Sequence, residues 1–323
     1  MLISGIVKDI DSCEKIWKSS IEPIHFFDEW DYRMCFFDKE RFNPHFVVLD
    51  EDKGAAHSVL PLWSRRRDGY KEFFGGEFME FNRIIAPDRE SASRLLSSLE
   101  GDYWLAYMDP SEKHLADLVP CGSRFLLYLS KVGHSLDAYL NSFSGKHRKN
   151  LKNDLKRLEQ LNPIVARNRL EDLDKMIGLN VSRFGDDSFL AEQWFVDGIK
   201  RFVNTANSKG HLEMLSILID NKPESVQLGM IYNKRYSVIL GGNNMNIPNI
   251  GKLMVVEHIK NAIRLKADVI DFLCTDSGWK KLWNLEEEAV YEFSNMSDDD
   301  YVRLNCQCQE LPAGPYADLP RKP

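Results

Sequence analysis

The sequence has no long apolar run. Its longest unbroken apolar stretches, such as residues 125–129, have the length of a strand, against the roughly 18 residues that a membrane span needs. It also lacks the charged-then-apolar layout of a secretory leader, because Met1-Leu2-Ile3-Ser4-Gly5 runs at once into Lys8, Asp9 and Asp11. These absences read as a cytoplasmic protein without a transmembrane segment. Cysteines are few and scattered, at 13, 35, 121, 274, 306 and 308, which excludes a disulfide framework. Cys306 and Cys308 are close, but no histidine or second cysteine pair lies at zinc-site spacing from them. They read as free thiols, and no metal site is expected. The histidines show no H-x-x-x-H or H-E-x-x-H spacing, no Gly-Lys-Ser/Thr ending marks a Walker loop, and no G-x-S-x-G elbow is present. Nothing points to covalent catalysis. An excess of positive charge is missing too: 42 Lys+Arg against 49 Asp+Glu leave −7, which argues against a dedicated DNA binder.

What is present is ample material for packed cores, 43% hydrophobic and 11% aromatic residues over a length that suits two domains. The first part alternates strand-like and helix-like patterns. Residues 45–50 (HFVVLD), a turn at 51–54 and residues 55–62 (AAHSVLPL) predict a hairpin; 70–75, 103–108 and 124–130 predict further strands, and 87–99 a helix. Residues 135–161 change to helical period, with Leu136, Tyr139, Leu140 and Phe143 in one stripe and Leu151, Leu155 and Leu158 in a second. Helices are also expected over 170–177 and 190–206. From residue 211 the period becomes that of strands: 212–220, a turn at 221–224, 225–232, a turn at 233–234, and 235–240 form a meander. A helix over 250–266, a strand over 268–273, a short segment over 279–285 and a strand over 289–293 complete the order β-β-β-α-β-α-β. The fold class read here is α/β, a mixed sheet in two halves that share one theme of meander, helix and buried strand. A duplicated domain follows, with a first domain over 1–134, a second over 135–295, and a flexible tail over 296–323.

Three stretches could carry chemistry. The strand 235–240 ends in Gly241 and Gly242 and leads through an asparagine-rich loop to Asn249, Ile250, Gly251 and Lys252 at a helix start. Free amides at such an end favour a phosphate or pyrophosphate, although an ordinary capped helix has the same appearance. The strand 268–273 delivers Asp271 and then Asp276, Lys280 and Trp283 to its C-terminal end, where sites collect in α/β sheets. Lys280 between Trp279 and Trp283 suits an anion; the bland alternative is a capping Asp276 and a core Trp283. The third stretch is a helix face with Lys146, Arg148, Lys149, Lys152, Lys156 and Arg157, opposed by Asp154. It fits the phosphates of a nucleotide sugar, a tRNA or an anionic membrane surface, or else is a solvated face. Tyr232, Tyr236 and Tyr291 are candidate general acids, against the common reading of such aromatics as core.

These stretches together resemble the Fem-like branch of the GNAT acetyltransferase superfamily, which includes CelD-type acyltransferases and the FemABX peptidoglycan aminoacyltransferases. The carriers are Leu136-x-x-Tyr139-Leu140-x-Ser142-x-x-x-Lys146-x-Arg148-x-x-Leu151, then Asn249-Ile-Gly-Lys-Leu-Met254, then Asp271-Phe-Leu followed by Trp279-Lys280-x-x-Trp283. The family's last element usually has Gly and Tyr where Thr275 and Trp279 stand here. Residues 246–251 also depart from the superfamily's usual Gln/Arg-x-x-Gly-x-Gly/Ala loop. The resemblance implies tandem GNAT-like domains, each a mostly antiparallel meander with flanking helices. It implies transfer of an acyl group from acyl-CoA, as co-substrate, to an amine of a small molecule or cell-envelope precursor. Gly241, Gly242, Asn249, Ile250, Gly251 and Lys252 would hold the cofactor's pyrophosphate. Arg148, Lys149, Lys152 and Trp283 would bind the acceptor, and Asp271, Lys280 and Tyr236 would serve catalysis. Two alternatives stand beside it: an aminoacyl-tRNA-dependent Fem-type transferase, and a ligand-binding GNAT-fold protein without turnover.

Overall fold

The structure is a computed structural model that describes residues 3–49, 58–274, 278–297 and 300. The turn expected at 51–54, Thr275 and Asp276, Cys306 and Cys308, and all of the 296–323 tail except residues 296, 297 and 300 lie outside the described residues. These divide into two compact units. The first takes the residues up to Ser123 and those from Glu288 onward, and the second takes Arg124–Glu287. This division falls ahead of the boundary expected at 134/135 and groups residues 288–295 with the first unit.

In the first unit, β1 (Ile3–Val7), α1 (Ile10–Ser20), α2 (Trp30–Met34), β2 (Phe42–Leu49), β3 (Ser58–Arg65) and β4 (Lys71–Phe73) precede α3 (Arg89–Ser97) and β5 (Trp104–Met108). The strands β1-β2-β3-β4 make an antiparallel sheet in that order. Helix α3 starts where the Asp88 carboxylate accepts from the Ser91 N–H. Its Ala92, Leu95 and Leu96 join Val47, Leu60, Leu62 and Leu105 in one core. The stretch before β2, which sequence pattern left without assignment, is pinned by a buried cation. Arg33 donates to the carbonyls of Phe27, Phe74 and Phe81 and to Asn82 Oδ1, with its guanidinium 4.8 Å from the Trp17 ring centre. Four acceptors and an aromatic face replace the water that this charge gives up.

The second unit begins within β6 (Val119–Tyr128) and continues through α4 (Leu136–Asn141), α5 (Gly145–Glu159), β7 (Ile164–Arg167), α6 (Leu173–Phe184), α7 (Gln193–Ser208), β8 (Leu215–Ile219), β9 (Lys222–Tyr232), β10 (Arg235–Asn243), α8 (Ile250–Arg264) and β11 (Val269–Asp271). Its strands lie in the order β6-β11-β10-β9-β8-β7, antiparallel at every step except β10 with β11. The final strand, β12 (Glu286–Ser294), pairs with β5 through Tyr291 and Met108. The hairpins are two-residue turns with both residues left-handed: Asp220 and Asn221 (φ 50° and 60°), then Asn233 and Lys234 (φ 46° and 58°). The first corrects the expected turn at 221–224, because Lys222 and Pro223 already pair with Ile219 and Leu218. No helix of the described residues is long and apolar enough to cross a membrane.

Adjacent residues of β10 show which helix covers which face. A Cβ on Gly241 would strike Gln227, whose amide meets His258 of α8; a Cβ on Gly242 would strike α6 at Met176 and Leu179. Helices α8 and α6 therefore lie on opposite faces of the sheet. Both halves are thus mixed α/β, dominated by antiparallel meanders, as the resemblance implied.

Candidate active site

The sheet of the second unit opens at one place. Strands β10 and β11 pair in parallel through Arg235–Val269, Tyr236–Ile270 and Ser237–Asp271, and there β11 ends, whereas β10 runs on to Asn243. The edge of β10 that β11 has covered is left beyond that point, with Val238, Ile239, Leu240 and Gly241 half-buried along it. On the other edge the register slips, since Val238 faces Gly229 and Leu240 faces Leu228, so Ile239 stands outside the β9 ladder as a bulge. The end of β10 leads by a short loop into α8. We call this stretch the wedge: the end of the β10–β11 ladder, with a bulged backbone on the β10 side and the N-terminus of α8 beyond it.

That helix start is narrower than the sequence suggests. Asn249 is left-handed (φ 66°) and makes no side-chain cap. The Ile250 and Lys252 N–H groups donate to the carbonyls of Ile247 and Asn249, whereas the Gly251 N–H has no non-helical backbone acceptor among the described residues. The Ile250 side chain is core, packed with Leu158, Leu215 and Ile217. Lys252 is held by Asp154 of α5 at 2.7 Å. Gly251 stands beside Asn243, whose Nδ2 would lie 3.4 Å from a Cβ placed there. Asn243 in turn accepts from Ser225 Oγ at 2.5 Å. Gly241 and Gly242 are glycines for packing: a Cβ on the first would lie 2.2 Å from Gln227 Cγ, and on the second 2.5 Å from the Met176 carbonyl oxygen.

The three residues expected to perform catalysis are structural. Asp271 is 0% exposed. Its Oδ2 accepts from Arg235 at 2.9 Å and lies 3.8 Å from the Arg124 Nε; its Oδ1 accepts from the Leu273 N–H. Lys280 is 3% exposed, donates to the Leu273 carbonyl at 3.0 Å and lies 4.9 Å from the Phe125 ring centre. Neither can be offered to a substrate without breaking a buried bond. Tyr236 points away from the wedge into the α8 face, where its hydroxyl meets His258 Nδ1 at 2.8 Å and burial pushes its pKa well up. Of the residues expected to bind the acceptor, Trp283 is core, and its carbonyl accepts from the Tyr139 hydroxyl. Lys149 and Lys152 are exposed on α5, and Arg148 reaches back to Asn141 at the end of α4.

The sequence reading missed a buried polar chain beneath β9 and β10. Gln227 Oε1 meets His258 Nε2 at 3.0 Å, so Nε2 carries the proton and Nδ1 accepts from Tyr236; Asn261 links on to Glu213. His258 and Asn261, three apart and buried on α8 among Val255, Ile259 and Ala262, were the available signal. Burial holds the imidazole neutral, with its pKa lowered to about 3. The unfolded chain takes up a proton near pH 6.5 that the folded one refuses, so stability falls as pH drops from about 6.5 toward 3, by at most about 1.4 kcal/mol per unit. Glu72 and Glu112, raised to about 7 by burial, act in the opposite sense between about pH 7 and 4.5. The contribution of His258 is isolated by comparing urea unfolding of wild type and His258→Gln at several pH values. The wild-type advantage should shrink steadily below pH 6.5; parallel curves would refute a neutral buried imidazole.

A shallow depression lined by Leu170, Leu173, Lys200 and Asn204 shares no residue with the wedge, and its Asp174 is already paired with Lys200. Among the described residues no cluster of His, Cys, Asp or Glu could hold a metal ion.

A strand meander whose fourth strand parts from a parallel fifth, with the intervening helix starting at the opening, suggests one fold. A sequence profile described as Acetyltransferase (GNAT) domain matches residues 145–281, the stretch that builds the wedge. The chain carries a GNAT acyltransferase domain. No curated protein matches the sequence. Among solved structures, FemX is similar with a TM-score of 0.57 at 13% identity, covering 94% of this chain and 99% of its own. L-PGS from Bacillus licheniformis is similar with a TM-score of 0.55 at 10% identity, covering 93% of this chain and 97% of its own. At such identities the likeness is one of fold, and it extends over both units.

Proposed function

We propose that the GNAT domain transfers an acyl group from acyl-CoA to an amine of a small molecule or cell-envelope precursor. The observation that carries this reading is the wedge between β10 and β11, open from Ser237–Asp271 onward. An extended pantetheine arm can add to the uncovered edge of β10 as a strand would, with its phosphates toward the Gly251 N–H at the start of α8. Ile239, outside the β9 ladder, is the backbone group best placed to donate to the thioester oxygen as charge develops there. The amine attacks the carbonyl carbon, a C–N bond forms, the C–S bond breaks, and CoA leaves as the thiolate. Asp271, Tyr236 and His258 are all held in buried bonds. The acceptor's proton therefore passes to water, and the rate should follow the acceptor's own ionisation.

The test is titration calorimetry with acetyl-CoA and longer acyl-CoAs on wild type, Gly251→Ala and Gly251→Asp. Gly251→Asp should weaken binding by about tenfold or more through repulsion at the helix start, while Gly251→Ala, needing a small shift of Asn243, should change it little. Equal affinity in all three would remove α8 from the donor site. An aminoacyl-tRNA donor is the second reading, favoured by the exposed lysines of α5. Transfer from charged tRNA with no binding of any acyl-CoA would select it.

A further inference from the structure

The exposed face of α5 and three aliphatic side chains beside it form a surface that the acyl-transfer reading does not use. Lys146, Lys149, Lys152, Lys156 and Arg157 are all exposed on the helix, Lys152 on the flank and the others on the side away from buried Leu151 and Leu158. Arg157 makes a loose contact with Asp154 at 3.9 Å; the four lysines make no ion pair among the described residues. In a chain with a net charge of −7, this concentration runs against the average. Among the described residues, the second unit has four large apolar side chains that are strongly exposed, and three of them lie at the end of the sheet that one core cluster occupies: Leu161 (42%), Ile164 (55%) and Met245 (63%). That cluster joins Leu158, near the end of α5, to Ile217 of β8 and Ile250 of α8. Leu161 follows Leu158 by three residues, Ile164 pairs with Leu218 at the same end of the sheet but on the face opposite Ile217, and Met245 lies two residues before Ile247, which packs on the cluster. Exposed Lys222 pairs with Ile219 at the same end. The exposed acids there are Glu159 and Asp220, fewer than the cations.

We infer that this end of the second unit docks on an anionic phospholipid bilayer. Aliphatic tips set among lysines suit the boundary between headgroups and acyl chains, where the tips enter and the ammonium groups remain with the phosphates. A nucleic acid would draw on the same charge but gains from aromatic rings for stacking, and the projecting apolar groups here are aliphatic. The inference does not depend on the acyl-CoA reading, whereas a tRNA donor would compete for the same lysines.

Flotation of the full chain with vesicles separates the outcomes. The protein should float with an equal mixture of phosphatidylcholine and phosphatidylserine, remain behind with phosphatidylcholine alone, and be released by salt. The triple variant Lys149→Glu, Lys152→Glu, Lys156→Glu should bind about tenfold more weakly or worse, and Ile164→Asp with Met245→Asp should lose binding although no cation is removed. All five positions are exposed, so an unchanged melting temperature can be required of both variants. The inference is overturned if wild type binds neither vesicle or both equally. It is also overturned if Ile164→Asp with Met245→Asp binds as wild type does, or if total tRNA binds more tightly than the mixed vesicles and displaces them.

Discussion

Asp271→Ala should destabilise the protein by about 3–5 kcal/mol, whatever it does to activity. The carboxylate is inaccessible to solvent, and its Oδ2 faces Arg235 at 2.9 Å and Arg124 at 3.8 Å, with the Arg124 side chain itself buried. Removing the negative charge takes from one buried and one half-buried guanidinium the carboxylate that both face, the costly way to break a buried pair. The other oxygen holds the Leu273 N–H, and Leu273 has a left-handed backbone (φ 60°) that a leucine tolerates poorly without such a tether. Asp271→Asn keeps an oxygen for that N–H and should lose roughly half as much. Urea unfolding with both variants is the measurement. A catalytic base would give another pattern, a large fall in turnover with an unfolding midpoint close to wild type. That result would return Asp271 to the reaction and overturn its place as the buried counter-ion of the sheet.

The same residue shows how far a sequence can be read. Hydrophobic period located the meander, α5, α8 and the buried strand of Asp271, because burial of one face leaves a trace at spacing two or three to four. It also picked out the stretch that ends β10 and starts α8, since a strand followed by glycines and a helix is local information. What the pattern could not convey is which side of a local feature faces a partner distant in the chain. Asp271 looked like a site residue because it sits at a strand's C-terminal end, and its partners Arg124 and Arg235 lie far off in sequence. Lys252 looked like a phosphate ligand until Asp154 of α5 was placed opposite it. The bulge at Ile239 leaves no compositional mark, being set by the register of β9 against β10. The short edge strand β7 escaped notice for a related reason: four residues carry too few alternations to stand above chance.

Gly242→Ala is expected to cost about 3 kcal/mol, at the upper end of the range for overpacking. A methyl group there would stand 2.5 Å from the Met176 carbonyl oxygen, 2.6 Å from Leu179 Cβ and 2.8 Å from the Asn180 backbone nitrogen. Two of these are backbone atoms of α6, so no rotamer change makes room, and the helix must move off the sheet. Moving it also strains the tether beside it, where Asn180 donates to the Gly241 carbonyl at 2.7 Å and accepts from Ser188 Oγ at 2.6 Å. Gly241→Ala meets a softer obstacle, the side chain of Gln227, and should cost about 1–2 kcal/mol as Gln227 gives up its bond to His258. The order of the two variants decides what these glycines are for. If they serve helix packing, the loss at Gly242 exceeds that at Gly241 in protein without any ligand, read from urea midpoints. If they serve close approach of a donor, both variants keep near wild-type stability and instead raise KM for the acyl donor. The second outcome would mean that α6 is free to yield at Met176, contrary to the contacts that seat it on β10.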